Sequence, residues 1–203
     1  MSLAYRTFPN VEKRPYADLR EDICDGDLLL CSGTRFFSSL ISSVTNSVWS
    51  HVAFVLRLQE INRVMVLESV ESQGVRTIPL SRYVRDYDGS GKGGYPGRLL
   101  LARHRDFAAS ARLDDFARYA VDRFGYNYDR VEIARIGLRI AGSLLGEVDD
   151  GHERNRLYIC SEFVEECYAS VGLNIETDSG QAPFPCDFAR NRRIRAIAEI
   201  PID

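Results

Sequence analysis

The sequence predicts an α+β protein, an antiparallel sheet with helices packed on it. Three observations predict it. Strand-like runs rich in Val, Leu and Phe crowd between residues 28 and 103. Helical apolar spacings dominate after residue 106. A length of 203 residues suits one well-buried core and is short for two. Residues 1–203 are accordingly read as one domain, with an extended arm at residues 1–15 marked by Pro9 and Pro15.

Along the chain, residues 16–23 read as a short helix before the turn Asp25-Gly26-Asp27, and residues 28–31 as a short buried strand. Residues 34–44 place Phe36, Phe37, Leu40, Ile41 and Val44 at helical spacing. Residues 51–58, 63–70 and 75–78 read as three strands, and the polar link Gln59-Glu60-Ile61-Asn62 joins the first two as a hairpin. A Gly-rich loop over residues 89–97 precedes a fourth strand at 98–103. Helices follow at 106–124, at 129–145 and from Cys160 to before Gly172, with a charged, mobile loop at 147–155. Pro183 and Pro185 break the chain before a last strand at 194–200.

Composition excludes several functions. Net charge is −3, so no overall basic field invites nucleic acid. The arginines at 190, 192, 193 and 195 read as a solvated strand or edge. No run of eighteen apolar residues occurs and the N-terminus lacks a signal-peptide pattern, so stable membrane insertion is not expected. The helix at 129–145 is basic on one side, with Arg130, Arg135 and Arg139, and reads as core packing with a charged outer edge. Five cysteines, odd in number and without a CxxC, and three scattered histidines support neither a disulfide framework nor a zinc site. A reducing, cytoplasmic compartment and no cofactor are expected.

Chemistry concentrates at Cys160. It begins the stripe Phe163, Val164, Cys167, Tyr168 and Val171, so a helix starting there turns its sulfur inward at a helix N-terminus. Free N–H groups and the helix dipole at such an end favour a thiolate and can stabilise an oxyanion. Cys167 lies mid-helix without those groups and reads as core, as do Cys24, Cys31 and Cys186 as structural residues. A base must be a histidine. His104, between Arg103 and Arg105, is expected to face solvent, and His152 sits in a charged loop. His51 opens the apolar strand Val52-Ala53-Phe54-Val55-Leu56, a rigid yet reachable position. If the hairpin turns near Glu60-Ile61, Ala53 faces Glu68 and His51 faces Val70, which makes Glu68 the diagonal neighbour of His51 on one sheet face. A slip of one residue would bring Ser69 or Glu71 there instead.

Ordered motifs then carry a resemblance. They are Gly26-Asp27-Leu28-Leu29, Ser50-His51-Val52-Ala53-Phe54-Val55, Leu67-Glu68-Ser69 with Gly74-Val75, Tyr128-Asp129, Tyr158-Ile159-Cys160-Ser161-Glu162-Phe163-Val164, and Pro183-Phe184-Pro185-Cys186-Asp187-Phe188-Ala189. Together, over roughly residues 20–190, the chain resembles the permuted NlpC-type hydrolases of the YiiX/YebB/YaeF group. The resemblance implies a circularly permuted papain-like core whose nucleophile helix follows the sheet in sequence. It implies a triad of Cys160, His51 and Glu68. It also implies a substrate-binding or oxyanion role for Tyr128, with Tyr126 the alternative because the family's Gly-x-Pro-Tyr-Asp reads Gly125-Tyr126-Asn127-Tyr128-Asp129 here.

The function so implied is a thiol hydrolase that cleaves an amide in small peptides, of cell-wall type among others, through an acyl-enzyme. Two other classes compete. Lipid acyl hydrolases and acyltransferases share the permuted core, but typically carry Asn-Cys-Glu-His where this chain has Ile159-Cys160-Ser161-Glu162. A non-catalytic binding module would not need all three triad residue types.

Overall fold

The structure is a computed structural model that describes residues 8–33, 45, 47–110, 112–129, 157–176 and 183–202. Its centre is a six-stranded sheet in which every neighbouring pair is antiparallel. The strands are β1 (Leu28–Gly33), β2 (His51–Leu58), β3 (Arg63–Val70), β4 (Gly74–Pro79), β5 (Gly97–His104) and, much later in the chain, β8 (Ile194–Ile200). Their spatial order is β4-β3-β2-β1-β5-β8. Two short strands, β6 (Asn127–Tyr128) and β7 (Leu157–Tyr158), pair in parallel as a separate ribbon.

Both sheet faces are covered, which is why β1 and β2 read as continuous apolar runs rather than as an alternation. On one face Leu28, Leu30, Val52, Phe54, Leu67 and Leu100 pack against Phe163, Val164, Cys167 and Tyr168 of helix α5 (Cys160–Ala169), with Phe116 of α4 (Leu113–Val121). On the other, Leu29, Ala53, Val55, Val66 and Leu101 meet Leu19 of α1 (Tyr16–Leu19) and Leu80, Tyr83 and Val84 of α2 (Leu80–Arg85). The helix bearing Cys160 follows five of the six strands, and β8 follows it.

The turn before β1 is built on Gly26, whose φ of +75° suits a residue without a Cβ. An added Cβ would also lie 2.1 Å from the Phe107 ring. Buried Asp27 closes the turn: it accepts from the Cys24 N–H at 2.8 Å and from Arg103 Nε and Nη2 at 2.5 and 2.7 Å.

Several expectations change. The expected helix at 16–23 is shortened to Tyr16–Leu19. The expected helix at 106–124 appears as α3 (Phe107–Ser110) and α4. Helix α2 was not expected, although Leu80, Tyr83 and Val84 carry the i, i+3, i+4 spacing of a buried stripe. Pro183 and Pro185, as chain breakers, predict no helix here. Pro185 is instead the first residue of α6 (Pro185–Arg190), where its missing N–H costs nothing, and Asp187 accepts from the Phe184 N–H at 2.8 Å. From the N-terminal arm, Glu12 and Arg14 hydrogen-bond to Glu199 of β8 through the backbone. His104 does not face solvent. It is 2% exposed, its ring 6.0 Å from that of Tyr168. As the last residue of β5 it turns toward the face covered by α5, and burial lowers its proton affinity, with Asp106 opposing and Arg193 adding to the effect. The helices expected at 34–44 and 129–145, the loop at 147–155 with His152, and residues 1–7 of the arm lie outside the described residues.

Candidate active site

The hairpin β2–β3 has the expected register. Phe54 opposes Leu67 and Val55 opposes Val66, so continuing the ladder sets Ala53 opposite Glu68 and His51 opposite Val70. His51 and Glu68 are thus diagonal neighbours on one face. The His51 Nε2 to Glu68 Oε2 distance is 2.7 Å. The entry to β2 is fixed just before the histidine: Ser50 N–H donates to the Cys31 carbonyl at 3.0 Å, and Ser50 Oγ accepts from the Gly33 N–H at 2.8 Å.

The next residue of β3 faces the other way and positions the cysteine. Ser69 Oγ donates to the Tyr158 carbonyl at 2.8 Å, two residues before Cys160. Tyr158 is held from its other end, where its hydroxyl donates to Glu166 at 2.7 Å and accepts from Arg123 Nε at 3.0 Å. One dipeptide, Glu68-Ser69, therefore fixes the histidine on one face of the sheet and the start of the cysteine helix on the other. Cys160 is the first residue of α5, and the Ile159 N–H before it donates to Glu162 Oε2 at 3.2 Å.

Cys160 lines the same cavity as His51, and the sulfur raises the ring's proton affinity. Since Nε2 is committed to Glu68, Nδ1 is the ring atom left for the sulfur. Burial disfavours the imidazolium, but Cys160 and Glu68 together overcome that penalty and push the His51 pKa up to about 10. Burial also penalises the Glu68 carboxylate, yet hydrogen bonds and charge from His51, Arg76 and Tyr83 hold it below its ordinary value. The other cysteines lack such company. Cys31, Cys167 and Cys186 are buried, and burial pushes their thiols up, that of Cys186 to about 12. Cys24 is exposed.

A cavity of about 280 Å³ opens over this pair, with His51, Cys160, Tyr128, Glu71, Tyr87 and Tyr95 among its lining residues. Tyr128 is brought there by β6, and β6 is held by Gly74. Gly74 has φ +68°, and a Cβ on it would lie 1.9 Å from the Tyr126 carbonyl oxygen. That close approach permits the bonds Val75 N–H to Tyr126 O at 2.8 Å and Gly125 N–H to Val75 O at 3.0 Å. Tyr126 does not line the cavity; its ring stacks on Tyr158 with centroids 6.1 Å apart. Burial and the nearby Cys160 raise the Tyr128 hydroxyl's pKa, so it stays a proton donor near neutrality. A second, more open depression of about 610 Å³ is lined by Glu21, Cys24, Arg57 and neighbours, and it contains no histidine.

Two site residues escaped the sequence reading. Arg76 stands directly opposite Glu68 in the β3–β4 ladder, and Tyr83 reaches it from α2. The turn at Gly74 was a signal for the first, because a tight hairpin there pairs residues 68 and 76. Among the described residues, no group of three or more His, Cys, Asp or Glu side chains could hold a metal ion.

The model of the permuted papain-like amidase enzymes, the YaeF/YiiX, C92 family, matches residues 22–183. The chain belongs to that family. As a member of the C92 amidases it is a cysteine hydrolase of the peptidase and amidase kind. Its fold is also similar to the crystal structure of metalloprotein yiiX from Escherichia coli O157:H7, with a TM-score of 0.55 and 14% identity over 88% of this chain and 98% of that one. A search of curated proteins finds no match. Among the described residues, no helix is long and apolar enough to cross a membrane.

Proposed function

We propose that this C92-family enzyme cleaves an amide bond in small peptides, cell-wall-derived ones included, with Cys160 as nucleophile, His51 as acid and base, and Glu68 orienting the histidine. The observation that carries the reading is the 2.7 Å contact of His51 Nε2 with Glu68 Oε2, on a ring that lines one cavity with Cys160. In the reaction, the Cys160 proton resides on His51, and the thiolate sulfur attacks the carbonyl carbon of the amide. The carbonyl oxygen becomes anionic beside the Cys160 backbone N–H at the start of α5 and the Tyr128 hydroxyl. Collapse breaks the C–N bond as the imidazolium gives its proton to the departing amine. Water then adds to the thioester, losing a proton to His51, and the carboxylic acid leaves as the thiol is restored. Free thiols throughout the described cysteines suit a reducing compartment such as the cytoplasm.

The test compares wild type with Cys160→Ala on short peptides, cell-wall-derived ones among them, and on phospholipid vesicles. Cys160-dependent peptide cleavage supports the reading. Cys160-dependent fatty-acid release without cleavage of any peptide overturns it in favour of lipid chemistry.

A further inference from the structure

Glu68 is fully buried, with its partners drawn from two strands and a helix. A carboxylate in such a place, paired with histidine alone, is pushed toward its neutral form. Arg76 prevents this from the neighbouring strand. It opposes Glu68 in the ladder, and its Nε and Nη2 both reach Oε1, at 2.9 and 2.8 Å. The guanidinium is itself placed, with Nη1 donating to Gln73 Oε1 at 3.0 Å and its carbon 5.9 Å from the Tyr87 ring centre. Tyr83 comes from α2 and donates its hydroxyl to Oε2, the oxygen His51 uses. The remaining groups that feel this carboxylate are Cys31 of β1 and Tyr87 and Tyr95 between α2 and β5. Burial keeps all three protonated near neutrality.

We propose that Arg76 and Tyr83 are positioning residues, which act through Glu68 to keep its carboxylate ionised and rotationally fixed, with Oε2 alone presented to the His51 ring. The proposal rests on the reading of Cys160, His51 and Glu68 given above. Oε1 accepts from Arg76 Nε, with Nη2 of the same guanidinium beside it, while Oε2 takes Tyr83 and His51, so the carboxylate is fixed through both oxygens. With Nε2–H of His51 held by Oε2, the tautomer is fixed and Nδ1 is left for sulfur. Arg76 also balances the charge. Thiolate, imidazolium, carboxylate and guanidinium sum to zero. Without the guanidinium the cluster is left with one negative charge and retains a proton to higher pH. That proton sits either on the sulfur or on Glu68, where it deprives His51 of its anionic partner.

The rate of Cys160 alkylation by iodoacetamide as a function of pH reads this cluster without any substrate. Wild type shows selective alkylation of Cys160 with an acid limb. In Arg76→Gln the limb moves up by about 1 pH unit or more, the scale of losing a cation within 4–6 Å. Arg76→Lys restores the charge and returns the limb toward wild type. Tyr83→Phe, which removes a neutral donor, moves it up by roughly half a unit. An acid limb unmoved in both Arg76→Gln and Tyr83→Phe, with Cys160 still selectively alkylated in wild type, overturns the positioning role and leaves the triad reading intact. Loss of selectivity in wild type overturns both. If Arg76→Gln does not fold, Tyr83→Phe decides alone, its limb either shifted up or unmoved.

Discussion

Removing the Glu68 charge should reverse the way stability depends on pH through His51. In the folded protein the His51 pKa is raised from 6.5 to about 10, with burial opposing and Cys160 and Glu68 producing the rise. A raised histidine contributes stability that is complete below pH 6.5 and is lost as pH climbs toward 10. At 1.36 kcal/mol per unit the whole shift is worth at most about 5 kcal/mol, divided between the sulfur and the carboxylate. Cys160→Ala isolates the carboxylate's part, the smaller share of that ceiling, with burial still opposing. In that background Glu68→Gln is the perturbation of choice, because the amide oxygen still accepts from Arg76 or Tyr83 while the charge is gone. Only burial then acts on His51, its pKa falls below 6.5, and the sign changes: stability is lost as pH falls below 6.5 instead of as it rises above. Urea midpoints at pH 5, 6.5, 8 and 9.5, compared at a common m-value, measure both slopes. Cys160→Ala should lose stability from pH 6.5 upward, and Cys160→Ala/Glu68→Gln should not. Equal slopes in the two proteins would refute the assignment of Glu68 as the anion that holds the imidazolium.

Gly74→Ala should cost about 3 kcal/mol, combining the left-handed backbone penalty with two weakened backbone hydrogen bonds to the Tyr126 segment. It should also lower Cys160-dependent turnover more than the loss of folded protein explains, because Tyr128 follows that segment; an unchanged urea midpoint would be the contrary result. His104 should make the protein acid-sensitive: its folded pKa lies below 6.5, so its contribution is present above that pH and is lost as pH falls. The drop in urea midpoint from pH 7 to pH 5 should therefore be smaller in His104→Phe than in wild type, and equal drops would show that His104 is not the group responsible.

The parts of the site that lie on a hairpin were legible because pairing is arithmetic. The bounds 51–58 and 63–70 and a turn at Glu60-Ile61 determine which residues share a face, and the diagonal from His51 to Glu68 follows before any coordinates. The same arithmetic, applied one hairpin further along, pairs Glu68 with Arg76. Strand bounds of 75–78, as the apolar pattern gives them, leave out Gly74, the residue that turns the chain, and so conceal that pairing. Tyr83 was harder to find. It lies on a six-residue helix, too short for periodicity to separate from a loop, directly after a strand that ends in proline. His104 failed for a different reason. Flanking arginines suggested a wet position, but neighbours in a strand point to opposite faces, so Arg103 and Arg105 say little about where the ring between them goes. The Arg103 side chain reaches Asp27, while His104 is buried against Tyr168.

The same alternation explains how so short a segment organises the chemistry. Leu67 and Ser69 face the cysteine helix, one as core and one as the donor that holds Tyr158. Glu68 faces the opposite layer, where Tyr83 and Arg76 receive it. Cys160 and His51 are thereby set from two sides of one strand, and they come together where β2 begins. A rigid sheet between them means that neither layer can shift without moving β3. On this geometry, substitutions that loosen β3 should uncouple Cys160 from His51 even where they touch neither. Ser69→Ala is the least intrusive of these, since it removes a single hydrogen bond of about 1 kcal/mol and leaves Glu68 and its partners in place. Its selective alkylation at Cys160 should persist but slow at neutral pH, with the His51–Glu68 contact unaltered. Alkylation at the wild-type rate would show that α5 is held in position by its own core packing, and that Ser69 is dispensable to the site.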